Sequence, residues 1–95
     1  MLGMLYGESG EFDKSAEAYR RVLEIEPTRS STWLGLGNIA WLRGDLTEAQ
    51  RLYRIALEHD NQNYEALVNL GNVCEALGEK QDAQRYRELA RPLGP

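Results

Sequence analysis

The chain has 95 residues, of which 42% are hydrophobic and 27% are charged, and its formal net charge is -4. This composition is typical of a globular domain and excludes a disordered chain. No apolar run approaches the roughly 18 residues that a bilayer span requires. The chain is acidic and its Lys and Arg residues are dispersed, so we do not expect it to bind nucleic acid. The start of the chain has no basic segment of a signal peptide, and a single cysteine excludes an internal disulfide, so we expect a cytoplasmic protein.

The sequence repeats at an offset of 34 residues. Glycine recurs at one position of each repeat, as Gly10, Gly44 and Gly78, and an acidic residue follows each of them. Asn38 and Asn72 form another pair at this offset. A fixed period of this length predicts an all-α stack of helical hairpins, each with a helix A and a helix B. The expected single domain spans residues 1–95 and contains a partial first repeat (1–29), a second repeat (30–63) and a third repeat (64–95).

The recurring glycines mark the predicted boundaries between helix A and helix B. The chain is expected to begin partway along a helix A, which Gly10 separates from helix B of the first repeat. Helix A of the second repeat is predicted over 31–43, with the hydroxyl residues 30–32 available for its N-cap. Gly44 then ends this helix, and the aspartate after it opens helix B, predicted over 46–59.

The segment from Trp33 to Trp41, WLGLGNIAW, places two glycines and an asparagine in an apolar helix. A phosphate-binding loop is rejected because no Gly-x-x-x-x-Gly-Lys-Ser/Thr motif occurs and no strand precedes the glycines. Gly37 and Gly71 are instead predicted to lie where helix A approaches helix B closely, which offsets the roughly 1 kcal/mol that glycine costs a helix.

These residues resemble the tetratricopeptide repeat family, whose signature combines Trp, Leu-Gly and Tyr on helix A with Ala and Phe on helix B and a closing Pro. The second repeat matches at Trp33, Leu36, Gly37, Ala40, Ala49 and Tyr53. The first matches at Leu2, Gly3, Tyr6, Ser15, Tyr19 and Pro27, and the third at Leu67, Leu70, Gly71, Cys74, Ala83 and Ala90. The resemblance implies a right-handed superhelical α-solenoid of antiparallel helix pairs. It also implies a protein–protein interaction module whose A helices line a concave peptide-binding groove.

Helix A residues that do not contact helix B are expected to face this groove. They are Leu34, Asn38, Trp41, Leu42, Glu65, Val68, Asn69, Asn72 and Glu75, and the first helix would add Met1, Met4 and Glu8. A row of amides can donate to and accept from the backbone of an extended peptide.

The run Asn69-Leu70-Gly71-Asn72 resembles the asparagine-bearing repeats of O-GlcNAc transferase, although Gly35 interrupts the row in the second repeat. The alternative is that Asn38 and Asn72 only bond a neighbouring helix or water. Trp41 is likewise either a binding residue or a packing residue, whereas Trp33 is expected in the core.

The charge of the predicted groove sets the kind of partner that we expect. The carboxylate clamp of this family needs cations at groove positions that here hold Leu34, Glu65 and Asn69, so an acidic C-terminal motif is not expected. Glu8, Glu65 and Glu75 favour apolar or basic peptides.

Catalysis has little support in the sequence, so no enzyme is expected. His59 is the only histidine and lies at the end of a helix, where the helix dipole explains it. Cys74 matches an inward position and is expected to be a buried, inert thiol. No nucleophile, base and orienting group come together, and neither a metal site nor a cofactor is expected.

The two ends of the array differ. Lys80, Arg87 and Arg91 stand where the second repeat has apolar residues, so we expect a polar cap that no further repeat follows. The N-terminal edge is apolar and consists of Met1, Leu2, Met4, Leu5 and Tyr6. We therefore expect an excerpt of a longer array that acts as an adaptor or scaffold. The alternatives are a structural repeat that self-associates through its edges and the substrate-presenting arm of an enzyme.

Overall fold

The structure, a computed structural model, describes the backbone of residues 2–94 and the side chains of residues 10–94. Its helices are α1 (Leu2–Ile25), α2 (Ser30–Leu42), α3 (Leu46–His59), α4 (Tyr64–Ala76) and α5 (Lys80–Ala90), followed by the 3-10 turn η1 (Arg91–Leu93). Consecutive helices pack against one another, and α2 also contacts α4. The predicted all-α helical repeat is confirmed. The predicted groove and edge residues Met1, Leu2, Met4, Leu5, Tyr6 and Glu8 lie outside the described side chains.

Two glycine turns close the hairpins α2–α3 and α4–α5. Gly44 and Gly78 have φ angles of 81° and 85°, in the left-handed region that glycine adopts without strain. The N–H of Gly44 donates to the carbonyl of Trp41, and the N–H of Asp45 donates to that of Ala40. The turn at Gly78 repeats both bonds at the equivalent positions. These bonds satisfy carbonyls that the ends of α2 and α4 would otherwise leave open.

Side-chain caps begin α3 and α4. Asp45 accepts a hydrogen bond from the backbone N–H of Glu48, and Asn63 accepts one from that of Ala66. Each cap satisfies one of the free N–H groups in the first helical turn. The bounds of α3 and the role of Asp45 agree with the sequence prediction.

The predicted hydroxyl cap of α2 is wrong. Arg29 occupies the N-cap position and makes no side-chain bond there. The hydroxyl of Ser30 instead donates to the carbonyl of Ala56 on α3, at 2.8 Å, and accepts from Nδ2 of Asn63. Ser30 therefore links the start of α2 to α3 and to the N-cap residue of α4, because its side chain lies between these helices.

Helix α1 continues through Gly10, so the predicted break between two helices at that position is wrong. Gly10 lacks the positive φ of Gly44 and Gly78, and the space around it is open. Glycine costs a helix only about 1 kcal/mol relative to alanine, so it ends a helix only where the flanking segments gain by packing together. Helix α1 packs against α2, where Tyr19 lies against Gly35.

One apolar core fills the space between the helices. It consists of Ala16, Leu34, Leu36, Ile39, Ala40, Ala49, Leu52, Tyr53, Ala56, Ala66, Leu70, Val73, Cys74 and Ala83. Glycines allow the helices of each hairpin to approach: a Cβ on Gly37 would lie 2.6 Å from Cε1 of Tyr53, and one on Gly71 would lie 3.2 Å from Cγ of Arg87. The predicted close approach at Gly37 and Gly71 is confirmed.

The described chain ends against α4. Helix α5 stops at Ala90, and Pro92 lies in η1, since proline cannot donate the backbone bond that a continuing helix needs. Gly94 lies so close to the ring of Tyr64 that no Cβ would fit between them. Across the described residues, no helix has both the length and the apolar character that crossing a bilayer demands.

Candidate functional site

A cavity of about 290 Å³ opens between α2 and α4. Its lining residues are Asn38, Trp41, Leu42, Tyr53, Asn69 and Asn72. Five of these six are groove residues predicted from the sequence. The repeat register brings them together because α2 and α4 occupy the same position in successive hairpins and contact each other.

Asn38 is the centre of a hydrogen-bond network in the wall of this cavity. Its Oδ1 accepts from the hydroxyl of Tyr53 at 2.6 Å and from Nδ2 of Asn69 at 3.0 Å. An amide oxygen has two lone pairs, so both acceptor positions of Asn38 are used within the protein. Among the residues whose side chains are described, none bonds the Nδ2 donors of Asn38 or Oδ1 of Asn69.

Tyr53 is the lining residue that the sequence analysis missed as a site residue. It belongs to helix α3, and only 1% of its surface is exposed. Its ring lies over Gly37, which places the hydroxyl at the cavity wall. Burial raises the pKa of Tyr53 to about 12, although a hydrogen bond with Asn69 opposes the shift. The hydroxyl therefore stays protonated and donates to Asn38 at neutral pH.

Arg87 takes the place of this tyrosine in the third repeat. Its Nη2 donates to Oδ1 of Asn72 at 3.2 Å, and its guanidinium pairs with both carboxylate oxygens of Glu75, at 3.1 and 3.0 Å. The Arg87 guanidinium holds the pKa of Glu75 below its ordinary value. The guanidinium comes from helix α5 and reaches α4 past Gly71, so the residues of helix A alone do not predict a cation here.

The apolar part of the cavity consists of Trp41 and Leu42. Trp41 is 36% exposed and Leu42 is 51% exposed. Two large apolar side chains at the last turn of α2 thus remain accessible although the helix they belong to is mostly buried. Trp41 is thus exposed to solvent at the cavity, and its role as a binding residue stays a prediction.

The other predicted groove residues lie elsewhere. Leu34 is only 9% exposed and belongs to the core, so its predicted place as an accessible groove residue is wrong: the helices packed around α2 cover it. Glu65 is exposed in the first turn of α4. Val68 is half-buried and lines a separate recess with Tyr64 and Arg87.

The interruption of the asparagine row has a packing cause. A Cβ on Gly35 would lie 2.4 Å from Cζ of Tyr19, so no asparagine fits at this position beside that ring. The equivalent position of the third repeat is Asn69, and its Nδ2 donates a hydrogen bond to Oδ1 of Asn38.

The remaining residues that the sequence analysis considered have structural roles. Trp33 is half-buried against the core; its indole donates to the carbonyl of Pro27, and its ring stacks on His59 with centroids 6.3 Å apart. Cys74 is buried, as predicted, and Nε2 of Gln50 donates a hydrogen bond to its sulfur at 3.5 Å. Burial raises the pKa of the Cys74 thiol.

A larger recess of about 390 Å³ lies between α1, α2 and α3. Two of its arginines are held in ion pairs, Arg43 with Asp13 and Arg51 with Glu48, and Arg20 also lines the recess. We therefore take the α2–α4 cavity as the candidate site, because its amides keep hydrogen-bonding groups for a ligand.

Comparison with known proteins agrees with this architecture. A family model described as tetratricopeptide repeat matches residues 1–56 and 34–95. No curated protein matches the chain. Repeats of this family are generally protein–protein interaction modules and are typically not catalytic. The matches overlap and together span the whole sequence, and the structure has the expected consecutive helical hairpins; the chain belongs to the tetratricopeptide repeat family.

Proposed function

We propose that the chain is an adaptor or scaffold module that binds an extended peptide segment of a partner protein in the α2–α4 cavity. The observation that carries the proposal is that one cavity combines exposed apolar side chains with amide N–H groups that have no partner in the described part of the chain. Asn38 and Asn72 supply amide N–H groups, and Trp41 and Leu42 supply apolar surface. A peptide in this position would be held chiefly through its backbone and one apolar side chain.

The hydrogen-bonding inventory supports an extended ligand. The oxygens of Asn38 and Asn72 both accept from the protein's own side chains, so these two residues offer mainly donors. Extended backbone presents carbonyl acceptors that a helix would use internally. Oδ1 of Asn69 can accept a ligand N–H between the two donors.

The charges support a ligand that is apolar or basic. Arg87 lies beside Asn72, but its guanidinium pairs with Glu75. A ligand carboxylate would have to compete with Glu75 for this cation. The proposed ligand is therefore not an acidic C-terminal motif.

Asparagine-to-aspartate substitutions test the proposal with little change in shape. Asn38→Asp and Asn72→Asp keep the oxygens that accept from Tyr53 and Arg87 but remove the N–H donors. Uncharged peptides are first selected on an array, and their affinities are then measured by fluorescence anisotropy. We expect each substitution, and Trp41→Ala, to weaken binding at least about fivefold. The control is Asn61→Asp, which adds the same charge at an exposed position outside the cavity.

The affinities are interpreted only for variants whose helix content, measured by circular dichroism, equals that of the wild type. Equal losses for Asn61→Asp and Asn38→Asp would assign the effect to net charge and reject the cavity. Peptide binding that is indifferent to all cavity variants would also reject it. Concentration-dependent mass in sedimentation, together with an absence of peptide binding, would favour self-association, the alternative function.

A further inference from the structure

The recess of about 390 Å³ between α1, α2 and α3 combines apolar and cationic side chains. We call it the α1–α3 recess. It lies between the first and second repeats, so it is not an end of the array. Ala16 and Leu52 belong to its apolar lining, and the arginines that line it are Arg20, Arg43 and Arg51.

The charged groups of the α1–α3 recess are not all paired. Its carboxylates are engaged, because Glu48 pairs with Arg51 and Asp45 caps helix α3. Arg43 pairs with an aspartate of α1. Arg20 is exposed to solvent and has no ion pair with any side chain of residues 10–94. The recess therefore keeps one cation beside its apolar lining.

The next repeat shows which group an arginine at this position receives. Arg54 follows Arg20 by the 34-residue repeat, and its Nη2 lies 3.9 Å from Oε1 of Glu79. The same oxygen accepts a hydrogen bond from Nε2 of Gln50 at 2.9 Å. A carboxylate is thus held between the second and third repeats by a guanidinium and an amide.

The interface between the first and second repeats does not form this arrangement. Ala16 stands at the position of Gln50, and Asp45 stands at that of Glu79. The carboxylate of Asp45 accepts from the backbone N–H of Glu48, whereas Glu79 makes no cap bond and is used between the repeats. Arg20 therefore lacks the carboxylate that its counterpart receives.

The side chains beside Arg20 also leave more room than their counterparts do. Ala16 and Leu52 are smaller than Gln50 and Tyr86, which stand at the same positions of the next repeat. Tyr86 packs against the core there. The volume of the α1–α3 recess falls in the range of roughly 300–1,000 Å³ that is typical of small-molecule sites. A matching ligand has both a carboxylate and an apolar part.

We propose that the α1–α3 recess binds a small organic carboxylate with an apolar body. The carboxylate lies beside Arg20, as that of Glu79 lies beside Arg54, and forms a charge-assisted hydrogen bond. The apolar body lies against Ala16 and Leu52 and is removed from water. This site is independent of the proposed peptide binding, because the recess and the α2–α4 cavity share no lining residue.

The test compares three probes: 4-phenylbutyrate, its neutral analogue 4-phenylbutyramide, and acetate, which has the carboxylate without the apolar body. Each is titrated into the whole 95-residue chain, and the amide chemical shifts are followed by NMR. We expect 4-phenylbutyrate to shift the amides of Ala16, Arg20 and Leu52. The neutral amide should bind at least about fivefold more weakly, because it cannot pair with the guanidinium. Acetate should also bind more weakly, because it buries little apolar surface.

Variants of α1 separate the charge of the recess from its volume. Arg20→Gln should weaken binding of 4-phenylbutyrate at least about fivefold and leave the affinity of the neutral amide unchanged. Arg21→Gln, a matched change on the exposed surface of α1 outside the recess, should alter neither affinity. Ala16→Gln introduces the side chain of the next repeat and should abolish binding by filling the recess. Circular dichroism checks that each variant keeps its helix content.

Three results would overturn the proposal. The first is equal affinity for the acid and its neutral amide, or no binding of any probe. The second is an equal loss of affinity in Arg20→Gln and Arg21→Gln, which would assign the effect to net charge. The third is a set of chemical shift changes confined to Asn38 and Trp41, which would place the probe in the α2–α4 cavity.

Discussion

The hydroxyl of Tyr53 donates a 2.6 Å hydrogen bond to Oδ1 of Asn38, so a core residue of α3 orients an amide of the candidate site on α2. Asn69 of the next repeat donates to the same oxygen. The amide is thus fixed by one bond within its own hairpin and one from the neighbouring hairpin. Packing between repeats and the geometry of the cavity are therefore determined by the same three side chains.

A double-mutant cycle on Tyr53 and Asn38 should show this coupling. Asn38→Ala leaves a buried hydroxyl without its acceptor, and we expect the free energy of unfolding to fall by about 1–3 kcal/mol. Tyr53→Phe should cost less, since Asn69 still donates to Asn38. Urea unfolding of the single and double variants gives the coupling energy, which we expect at about 1 kcal/mol. Strictly additive losses would contradict the hydrogen bond.

The ionisation of Tyr53 should make the fold sensitive to alkali. Burial raises the pKa of Tyr53 to about 12, whereas an unfolded tyrosine ionises near its ordinary value of 10. The unfolded state therefore loses its proton first, and stability falls as pH rises from about 10 to about 12, by up to about 2 kcal/mol. Urea unfolding across this range in the wild type and Tyr53→Phe measures the effect. A decline of equal size in Tyr53→Phe would assign it to other groups.

Gly10 and Gly44 occupy the same repeat position but should respond oppositely to alanine. Gly10 lies within α1, with nothing near the site of a new Cβ, so Gly10→Ala should stabilise by about 0.5–1 kcal/mol. Gly44 has a φ of 81°, so Gly44→Ala should destabilise by about 1 kcal/mol. Thermal unfolding of both variants checks the pair. Destabilisation by Gly10→Ala would indicate a turn at Gly10 in solution, as the sequence repeat predicts.

The ion pair between Glu75 and Arg87 should be visible in an acid titration. Arg87 holds the pKa of Glu75 below 4.5, mainly through their hydrogen bonds. This pair therefore stabilises the fold above the ordinary glutamate pKa and loses that contribution as pH falls through the lowered value. NMR titration of the Glu75 carboxyl should give an ordinary pKa in Arg87→Gln. An unchanged titration in that variant would contradict the pairing.

Cys74 should react with thiol reagents only when the protein unfolds. The side chain is fully buried, and burial raises the pKa of its thiol, so little thiolate is formed or accessible at neutral pH. Modification by a disulfide reagent should be slow in buffer and rapid in urea. A similar rate in both conditions would show that the core around α4 opens easily.

The sequence predicts those features that depend on the repeat register. The bounds of α3, the turns at Gly44 and Gly78, and the close approach at Gly37 agree with the structure, because each rests on a local residue preference that recurs in the next repeat. The predicted break at Gly10 is wrong, because glycine permits a turn but tertiary packing decides whether the turn forms.

The candidate site is less predictable for a similar reason. The register identifies Asn38 and Asn72 as equivalent, but it does not show that their oxygens are already occupied by Tyr53 and Arg87. These two partners come from B helices, and Gly37 and Gly71 beneath their side chains allow them to reach the asparagines. Leu34 was assigned by helical position alone, and that position does not indicate how closely the neighbouring helices cover it.

The consecutive packing of the helices has a consequence for how the protein reaches its fold. Each hairpin joins segments that are near neighbours along the chain, so little loop-closure entropy is lost before its contacts form. Either the α2–α3 or the α4–α5 hairpin can start the process, and α4 docking onto α3 then completes it. Chains with such local contacts fold in microseconds to milliseconds, in contrast to the slower assembly of sheets built from distant strands.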